Sequence, residues 1–492
     1  MRCVVKTDND DTRVPAATIL VGLTALVGFM ALPADADLWF HLADGDYILA
    51  HGRVPQTDPF SFTRVGELWV PHSWLFDVGV TLAWNKLGPR AAEAIMAGVF
   101  VLCVLLSFGL LTARRVPVLV ALVVCAALAV GAGNTRGLRP QVFSLLFTNL
   151  VIVLLVLHRQ RPGRRILVAL PPLFLLWAQV HGACIMGLVV GVIWLAGRVF
   201  DTVIHRTWSE HRREIVMLAA AITLAALAVL ITPHAITHYR YVALTTGLEF
   251  LRTRVSEWQS PRALSLTVPD VYHFLLCAGV LVVLARSARR VGWAEVGVAG
   301  ALILLGFSAT RHIPLACIGC VPLLADALGR SDVVDVARWR IRLQAPAAPA
   351  VVMLVVLVGL WRFPTDVDTR YAQAEPVAGA RALRELEAPM RVFTSYNTGA
   401  YILWAGPTEL RVFVDSRADV YGDALLVEAD LARQGRGWQT LFELWAIDAA
   451  VVERHDPLAE ILAGRDDWVA LAEDHDELTF LRRDLSTAIT SR

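Results

Sequence analysis

The stretch ALPADADLWFHLADGDYILAHG (residues 31–52) follows a long apolar run and places two aspartates, Asp35 and Asp37, two residues apart. The apolar run, residues 14–33, is long enough to cross a bilayer as a helix and too long for the core of a signal peptide. The sequence ALPADAD is also a poor signal-peptidase site. We therefore predict a cytoplasmic N-terminus (residues 1–13) and an uncleaved membrane anchor, with two carboxylates where the chain leaves the membrane.

The composition favours a chain that crosses the membrane many times. Of its 492 residues, 56% are hydrophobic and only 18% are charged. Apolar windows of spanning length recur along the chain and predict about 11 transmembrane helices. These lie near residues 14–33, 90–112, 116–133, 139–157, 166–180, 183–198, 215–232, 269–285, 293–310, 313–328 and 348–363. The fold class is therefore an α-helical polytopic membrane protein.

Two further apolar segments are too short or too charged to span. Residues 73–88 carry Asp77 and Lys86, with Trp74 and Trp84 at positions suited to the headgroup region. Residues 38–51 have the same character. Both are predicted to be helices lying in the membrane interface, within and just after the first outer loop (residues 34–72).

Arginine sets the orientation, because cytoplasmic loops are enriched in Lys and Arg. One set of loops carries 17 Arg, at residues 114–115, 158–165, 198–214, 286–290 and 329–344. The alternate set carries nine Arg in a greater length, at residues 34–72, 134–139, 181, 233–268 and 310–312. The first set is therefore predicted to be cytoplasmic and the second set external.

The C-terminal region differs from the rest of the chain. Residues 365–492 hold 23 Asp and Glu against 13 Arg and no Lys. Short β-rich runs (RVFTS, RVFVD, AAVVE, ELTFLR) alternate with helical patterns at 375–388, 424–433 and 456–464. We predict a membrane domain over residues 14–363 and a separate external α/β domain over residues 364–492.

Polar residues collect at the external ends of the predicted spans. They are Asp35, Asp37, His41, His72, Arg136, Arg139, His181, Glu257, Arg311 and His312. Ionisable groups at membrane depth are costly and often mark a functional cavity. The set therefore predicts a cleft at the outer membrane surface, with carboxylates and cations facing a common ligand.

The residue types indicate the chemistry. Residues two apart in an extended segment point the same way, so Asp35 and Asp37 are suited to one acceptor hydroxyl or one divalent cation, Mg²⁺ or Mn²⁺. Arginine makes bidentate contacts with phosphate. Carboxylates beside arginines at the lipid boundary fit transfer from a lipid-linked phosphate donor.

Each of these features also has a structural interpretation. The aspartates of the first pair are common as solvated caps, Arg139 as a snorkelling residue, and His181 as a packing histidine. A second pair, Asp44 and Asp46, is predicted to lie on the solvated face of a helix. In the C-terminal region, a strand-end turn and a binding site are both open for a group formed by Asp415, Arg417, Asp419 and Tyr421.

The order of these parts resembles the GT-C membrane glycosyltransferases, which use polyprenyl-phosphate sugars. Several blocks look like a bacterial family of GT-C-like proteins whose first block reads close to D-x-D-L-W-W-H, with Phe40 here in place of the second Trp. These blocks are DADLWFHLADGDYILAHG, WVPHSWL, RPQVFS, LLWAQVHGA, EWQSP and RHIPL. Residues 395–422 are faintly similar to the WWDYG region of oligosaccharyltransferases but lack the motif itself.

The resemblance implies roles residue by residue. Asp35 matches the catalytic or metal-organising carboxylate, and Asp37 matches the second aspartate of that motif. His41, His72, Arg139, His181, Glu257, Arg311 and His312 match polar positions of the local family, which carry no established role. Lipid-phosphate or substrate binding is expected for them.

The expected function is transfer of a sugar from a polyprenyl-phosphate donor to a glycan, lipid or protein acceptor outside the cytoplasmic membrane of a bacterium. A net charge of +1 gives no sign of nucleic-acid binding. A metal-independent surface-polysaccharide ligase or polymerase is one alternative. The other is a non-catalytic membrane transporter or scaffold.

Overall fold

The computed structural model describes residues 36–132, 137–161, 164–262, 267–330, 371, 374–386 and 389–485. Asp35, Arg136 and the predicted spans at 14–33 and 348–363 lie outside the described residues. The other nine predicted spans, and both predicted interfacial segments, coincide with described helices.

The described helices follow one another closely along the chain. They are α1 (Asp37–His51), α2 (Trp74–Leu87), α3 (Pro89–Ala113), α4 (Val118–Gly131), α5 (Gln141–Gln160), α6 (Arg164–Leu167), α7 (Leu170–Val180), α8 (Cys184–Ile204), α9 (Trp208–Val229), α10 (Thr237–Gly247), α11 (Glu249–Arg254), α12 (Val268–Ser287), α13 (Trp293–Gly306), α14 (Ile313–Leu328), α15 (Val377–Glu385), α16 (Gly399–Ala405), α17 (Ala418–Arg433), α18 (Trp438–Leu444) and α19 (Pro457–Ala463). The strands are β1 (Arg391–Phe393), β2 (Arg411–Val412), β3 (Ala449–Glu453), β4 (Trp468–Glu473) and β5 (Glu477–Arg482).

The chain divides into two compact units, and each is discontinuous in sequence. The helical unit comprises Met1–Leu32, Ala91–Ala235 and Val255–Arg362. The α/β unit comprises Pro33–Arg90, Ile236–Arg254 and Phe363–Arg492. The first outer loop thus groups with the C-terminal region, whereas the domain boundaries at 363 and 364 remain a sequence-based prediction.

Several helices of the helical unit have the length and composition of membrane spans. Five described segments qualify, namely Pro89–Ala113, Gln141–Gln160, Cys184–Ile204, Asp270–Ser287 and Thr310–Leu328. The apolar helices α4, α7 and α13 are shorter. Helix α14 packs against α5, α12 and α13, and α8 packs against α5, α9 and α13. The chain is therefore a multi-pass membrane protein.

The two ends of the helical unit carry different polar contacts. Arg139 precedes α5, and Arg159 lies in its last turn, about 30 Å away along the axis at 1.5 Å per residue. Arg159 forms ion pairs with Glu295 of α13 and Asp326 of α14, and Arg114 pairs with the same Asp326. These ion pairs connect the ends of helices that adjoin the arginine-rich loops. The predicted external residue Arg139 is at the opposite end.

The α/β unit contains a mixed five-stranded sheet of order β2-β1-β3-β5-β4. Strand β1 pairs in parallel with β2 and β3, while β5 pairs antiparallel with β3 and β4. The four predicted strands are confirmed as β1, β2, β3 and β5, and the predicted helical patterns correspond to α15, α17 and α19. Strand β4 was not predicted. Helix α17 bends at Gly422, whose φ of 70° interrupts the helical backbone.

The first outer loop adds a short extension to the β2 edge of this sheet. Ser61 pairs in parallel with Val412. The Phe62 amide donates to the Val412 carbonyl (3.3 Å), and the Val412 amide donates to the Phe60 carbonyl (3.4 Å). The Thr63 hydroxyl donates to the Phe413 carbonyl at 2.7 Å. Residues 60–63 are therefore part of the α/β unit's hydrogen-bonded framework.

Helix α1 packs closely on α2 and on α16. A Cβ atom on Gly45 would lie 2.2 Å from Thr81 Oγ1 and 2.4 Å from the Asp77 carbonyl oxygen, so only glycine allows this approach. Trp39 of α1 is fully buried, and its indole nitrogen donates to Glu375 Oε1 at 2.7 Å. These contacts fix the helix that begins at Asp37.

Candidate functional site

Two arginines converge on one carboxylate at an end of the helical unit. Arg139 Nη1 lies 2.8 Å from Glu257 Oε2, and Arg311 Nη1 lies 3.2 Å from Glu257 Oε1. The three side chains are 18–21% exposed, so a ligand can reach them. We call Arg139, Glu257 and Arg311 the arginine cluster. The sequence pattern predicts all three on the same membrane face, and the structure brings them together.

Neighbouring contacts hold the arginine cluster in place. The Arg311 guanidinium lies 4.2 Å from the ring centroid of Trp258, in cation–π geometry. The Thr310 amide donates to the Gln259 carbonyl (3.0 Å), and its hydroxyl donates to the Glu257 carbonyl (3.2 Å). Two short 3₁₀ turns, Ser256–Trp258 and Thr310–His312, are thereby joined. The arginine cluster therefore combines three chain segments that lie far apart in sequence, and two of them are joined by these backbone contacts.

The two predicted histidines of the helical unit each have a hydroxyl partner. His312 Nδ1 lies 3.0 Å from Ser308 Oγ. His181 is 8% exposed, and its Nδ1 lies 2.7 Å from Ser144 Oγ. The same Ser144 oxygen accepts a hydrogen bond from the Trp177 indole at 2.8 Å. His181 thus takes part in the packing of α5 and α7, and no local pattern marks Ser144 as its partner.

The predicted residues of the α/β unit lie within the first outer loop (residues 34–72). Asp37 is the first residue of this helix and is partly exposed, whereas Asp35 lies outside the described residues. His41 is one helical turn after Asp37 and is buried. His72 stacks on Tyr241 of α10, with ring centroids 4.3 Å apart and an interplanar angle of 17°. His41 and His72 therefore have different surroundings within the unit.

His41 is held by Asp77, a carboxylate predicted only as a charge in an interfacial helix. The Nδ1 atom of His41 lies 2.6 Å from Asp77 Oδ1. The Ser73 hydroxyl donates to both oxygens of Asp77, at 3.1 and 3.2 Å. A lone carboxylate in an apolar helix was the available signal for this residue, because such a group needs a buried partner. The contact orients the imidazole ring.

The prediction for Asp44 is wrong. Asp46 is exposed as expected and accepts a hydrogen bond from Asn85 at 3.0 Å. Asp44 is fully buried, and neither of its carboxyl oxygens has a hydrogen-bond donor among the described residues. Burial and the charge of the adjacent Asp77 raise the pKa of Asp44 well above its ordinary value. Protonation of Asp44 is therefore favoured, since two close buried carboxylates repel each other.

Three of the four suspected C-terminal residues form a buried network with the first outer loop. Arg417 Nη1 donates to Asp58 Oδ1 at 2.7 Å, and its Nη2 donates to Asp415 Oδ2 at 2.7 Å. The Tyr421 hydroxyl also donates to Asp415 Oδ2 at 2.7 Å. Trp69 lies 4.5 Å from the guanidinium carbon. Of the two interpretations left open for this group, a structural one fits these buried, paired side chains.

Asp419 is the exception in that group. It is partly buried, and burial raises its pKa to about 7. The network also contains a residue that sequence reasoning missed. Asp58 is separated from Arg417 by 359 positions, and no local pattern marks it as a partner.

One set of possible metal ligands occurs among the described residues, and its surroundings do not suit a cation. Donor atoms of Glu453, His455 and Asp456 lie within 4.8 Å of one another. Arg433 already binds both carboxylates, at 2.8 Å from Glu453 Oε2 and 2.8 Å from Asp456 Oδ2. The guanidinium supplies the positive charge that a metal ion would bring, so we assign this group to local stability.

Comparison with protein-family models and with characterised protein sequences gives no match. Solved structures do match. An oligosaccharyltransferase of Archaeoglobus fulgidus, tethered with an acceptor peptide, superposes with a TM-score of 0.53 and 11% identity, covering 90% of this chain and 69% of that chain. The same enzyme, AglB, in complex with an inhibitory peptide and a dolichol-phosphate has a TM-score of 0.52 at 11% identity, with the same coverage of both chains.

ArnT from Cupriavidus metallidurans, bound to undecaprenyl phosphate, has a TM-score of 0.52 and 14% identity. The match covers 96% of this chain and 98% of that chain. At such low identity these similarities establish the fold alone. The predicted GT-C-like fold, a helical membrane region followed by a C-terminal α/β region, is confirmed.

Proposed function

We propose that the protein is a membrane glycosyltransferase that moves a sugar from a polyprenyl-phosphate donor to an acceptor on the outer side of the cytoplasmic membrane. The arginine cluster is the observation that carries the proposal. Two accessible guanidinium groups at one end of a membrane helical unit suit the phosphate of a lipid carrier. The fold similarity to proteins solved with dolichol-phosphate and undecaprenyl phosphate supports this assignment.

The chemistry explains why two arginines are useful. The acceptor oxygen forms a bond to the anomeric carbon of the sugar, and the bond from that carbon to the donor phosphate oxygen breaks. The electron pair stays on the phosphate, which changes from a diester to a monoester and gains negative charge. Fixed cations near the leaving oxygen stabilise this charge as it develops. In the proposal Arg139 and Arg311 have this task, with His312 beside them.

The carboxylates are proposed to activate the acceptor hydroxyl. Asp35 is the proposed general base or metal organiser, with Asp37 assisting, and it receives the acceptor hydroxyl proton. Carboxylate oxygens also suit Mg²⁺ or Mn²⁺, which when bound would neutralise phosphate charge. His41, oriented by Asp77, is a proposed neighbour of this pair. His72 and His181 are proposed to shape the binding region.

Binding of the lipid carrier tests the proposal directly. We expect Arg311→Ala to weaken binding of polyprenyl phosphate to the purified protein by tenfold or more, because one charge-assisted contact contributes about 1.5–3 kcal/mol. Arg240→Ala, which removes a charge elsewhere in the chain, is the matched control. A wild-type protein that binds no polyprenyl phosphate would contradict the proposal and favour a transporter or scaffold.

Activity in cells separates the enzymatic alternatives. In a strain with a measurable surface glycan, we expect Asp35→Asn to abolish the modification while the protein remains in the membrane at normal level. The metal-independent ligase or polymerase instead requires full activity in the double variant Asp35→Asn/Asp37→Asn, with loss of activity in Arg311→Ala. The identity of the sugar and acceptor would follow from the glycan that changes.

A further inference from the structure

Glu257 contacts both arginines of the cluster, so its carboxylate lies at the position expected for a bound phosphate. Its two carboxylate oxygens each contact a different guanidinium, at 2.8 and 3.2 Å. The cluster therefore carries two positive charges and one negative charge. Glu257 lies between the two arginines and reduces the repulsion between their like charges in the absence of ligand.

We propose that Glu257 weakens the hold of the arginine cluster on the polyprenyl-phosphate product more than its hold on the sugar-linked donor, and so promotes product release. This inference rests on the proposed function, and it concerns a step that follows sugar transfer. Glu257 acts on the phosphate through charge and through its contacts to Arg139 and Arg311. It is thus a positioning and specificity residue rather than a catalytic one.

The charge on the phosphate changes during the reaction. The donor is a phosphodiester with one negative charge, whereas the product is a monoester with about 1.5 to 2 negative charges at neutral pH. Attraction to two arginines grows in proportion to ligand charge, so an arginine pair alone would retain the product strongly. A neighbouring carboxylate repels the product about twice as much as the donor. Glu257 thereby cancels part of the excess attraction.

The surroundings of the cluster support a role specific to charge. Arg311 is also held by the Trp258 ring at 4.2 Å, and the two 3₁₀ turns are joined by backbone contacts at Thr310. The cluster geometry therefore does not depend on the Glu257 charge alone. Glutamine at this position keeps the shape and a hydrogen-bond acceptor but removes the negative charge, which isolates the proposed effect.

The test compares two lipids that differ in phosphate charge. Purified full-length protein, as wild type and as Glu257→Gln, is titrated with polyprenyl phosphate and with its methyl ester at about pH 7.5. We expect the variant to bind the methyl ester about threefold more tightly and the monoester about tenfold more tightly, because the gain in free energy scales with ligand charge. Glu210→Gln removes an exposed charge in the same unit and should change neither affinity.

Acid pH provides an internal check. The second pKa of a phosphate monoester is about 6, so at about pH 5 both lipids carry one charge. We expect the monoester's gain in Glu257→Gln to fall to that of the methyl ester. At each pH both lipids encounter the same charges on Arg139, Arg311 and His312, so their difference reports the phosphate alone.

The outcomes distinguish the role of Glu257 from the proposed function. Equal gains for both lipids near neutral pH, or no gain for either, overturn the role of Glu257 while leaving the lipid-carrier assignment intact. Failure of the wild type to bind either lipid overturns the proposed function, and this inference with it. A larger gain for the monoester that disappears at acid pH supports the inference.

Discussion

The buried carboxyl pair Asp44 and Asp77 makes the stability of the α/β unit depend on pH. Burial raises the pKa of both groups, and the neighbouring Asp77 charge raises that of Asp44 further. The folded chain therefore binds more protons than the unfolded chain between about pH 3.9 and the raised pKa. Over that range the free energy of unfolding decreases as pH rises.

The first prediction concerns Asp44→Asn. The amide carries no charge and can donate to Asp77, so we expect the variant to be more stable than the wild type near neutral pH. The gain should be largest near neutral pH and should shrink as the pH approaches about 4, where the carboxyl group is protonated in the unfolded chain as well. Thermal unfolding of the purified protein across this pH range measures it.

Glu409→Gln is the control for that comparison, because Glu409 is exposed in the same unit. Its pH profile should run parallel to the wild type. An Asp44→Asn profile that is also parallel to the wild type would show that the pair has no proton-linked effect on stability.

The second prediction concerns the Arg417 network. Asp58→Ala leaves a fully buried guanidinium short of a partner, and it also removes an acceptor for the amides of Phe60 and Ser61. We expect a loss of about 3–5 kcal/mol in stability, as for other broken buried ion pairs. Chemical denaturation of the full chain measures the loss. Glu67→Ala, an exposed change in the same loop, should stay within about 0.5 kcal/mol of the wild type.

Sequence patterns placed Arg139, Glu257 and Arg311 on one predicted membrane face but did not predict the buried partners of the candidate residues. Arg139, Glu257 and Arg311 were grouped because charge asymmetry between loops set the topology, and topology set their common face. Partners such as Asp58 and Ser144 escaped prediction, since an ordinary loop or helix residue carries no mark of a contact far along the chain. The prediction that Asp44 is solvated was wrong because it followed the general rule that charged residues are mostly exposed.

At the scale of elements, hydrophobic periodicity and length predicted most helices and four of the five strands. The prediction rested on strong local patterns, apolar runs for the helices and β-branched runs for the strands. Strand β4 (Trp468–Glu473) contains two alanines and a register shift between Ala470 and Ala472, so its alternation is weak. The bridge between Ser61 and Val412 depends on the β2 edge, and residues 60–63 have no strand pattern of their own.

The third prediction concerns the contact between α1 and α2. Gly45→Ala places a methyl group 2.2–2.4 Å from atoms of α2, so the two helices must move apart. We expect a loss of about 1–3 kcal/mol in stability from overpacking. The proposed transferase activity should also fall, because α1 carries Asp37. The measurements are the melting temperature and the amount of surface glycan.

Gly79→Ala is a matched control for Gly45→Ala. Gly79 lies in α2 and is exposed, and no heavy atom lies within 4 Å of the position that its added methyl group would take. Alanine there should stabilise the helix by about 0.5–1 kcal/mol. If both variants changed stability alike, close packing at Gly45 would not be the reason.

At the scale of the whole molecule, the chain forms two units, and the α/β unit contains segments from both sides of the predicted domain boundary. The α/β unit takes α1, α2 and the first outer loop from one end of the sequence and the five-stranded sheet from the other. The predicted boundary at residue 364 rests on the end of the last predicted span, on charge and on the alternation of β-rich and helical runs, which report the local character of a segment rather than its contacts. The first outer loop is polar enough to belong to either region.

The fourth prediction follows from this division. A fragment of residues 364–492 lacks Asp58, Trp39 and the segment of residues 60–63, so Arg417, Glu375 and the β2 edge each lose one contact. We expect the fragment to show no cooperative unfolding transition in thermal denaturation followed by circular dichroism. A fragment that unfolds cooperatively at the temperature of the intact α/β unit would contradict this.

Because 359 positions separate Asp58 from Arg417, the two residues are synthesised at different times. Ribosomes add about 5–20 residues per second, so the loop bearing Asp58 leaves the ribosome roughly 20 to 70 seconds before its arginine exists. Throughout that interval the aspartate lacks only the distant guanidinium that pairs with it, because its contacts with Phe60 and Ser61 are local. Assembly of the α/β unit is therefore a late event in the synthesis of the chain.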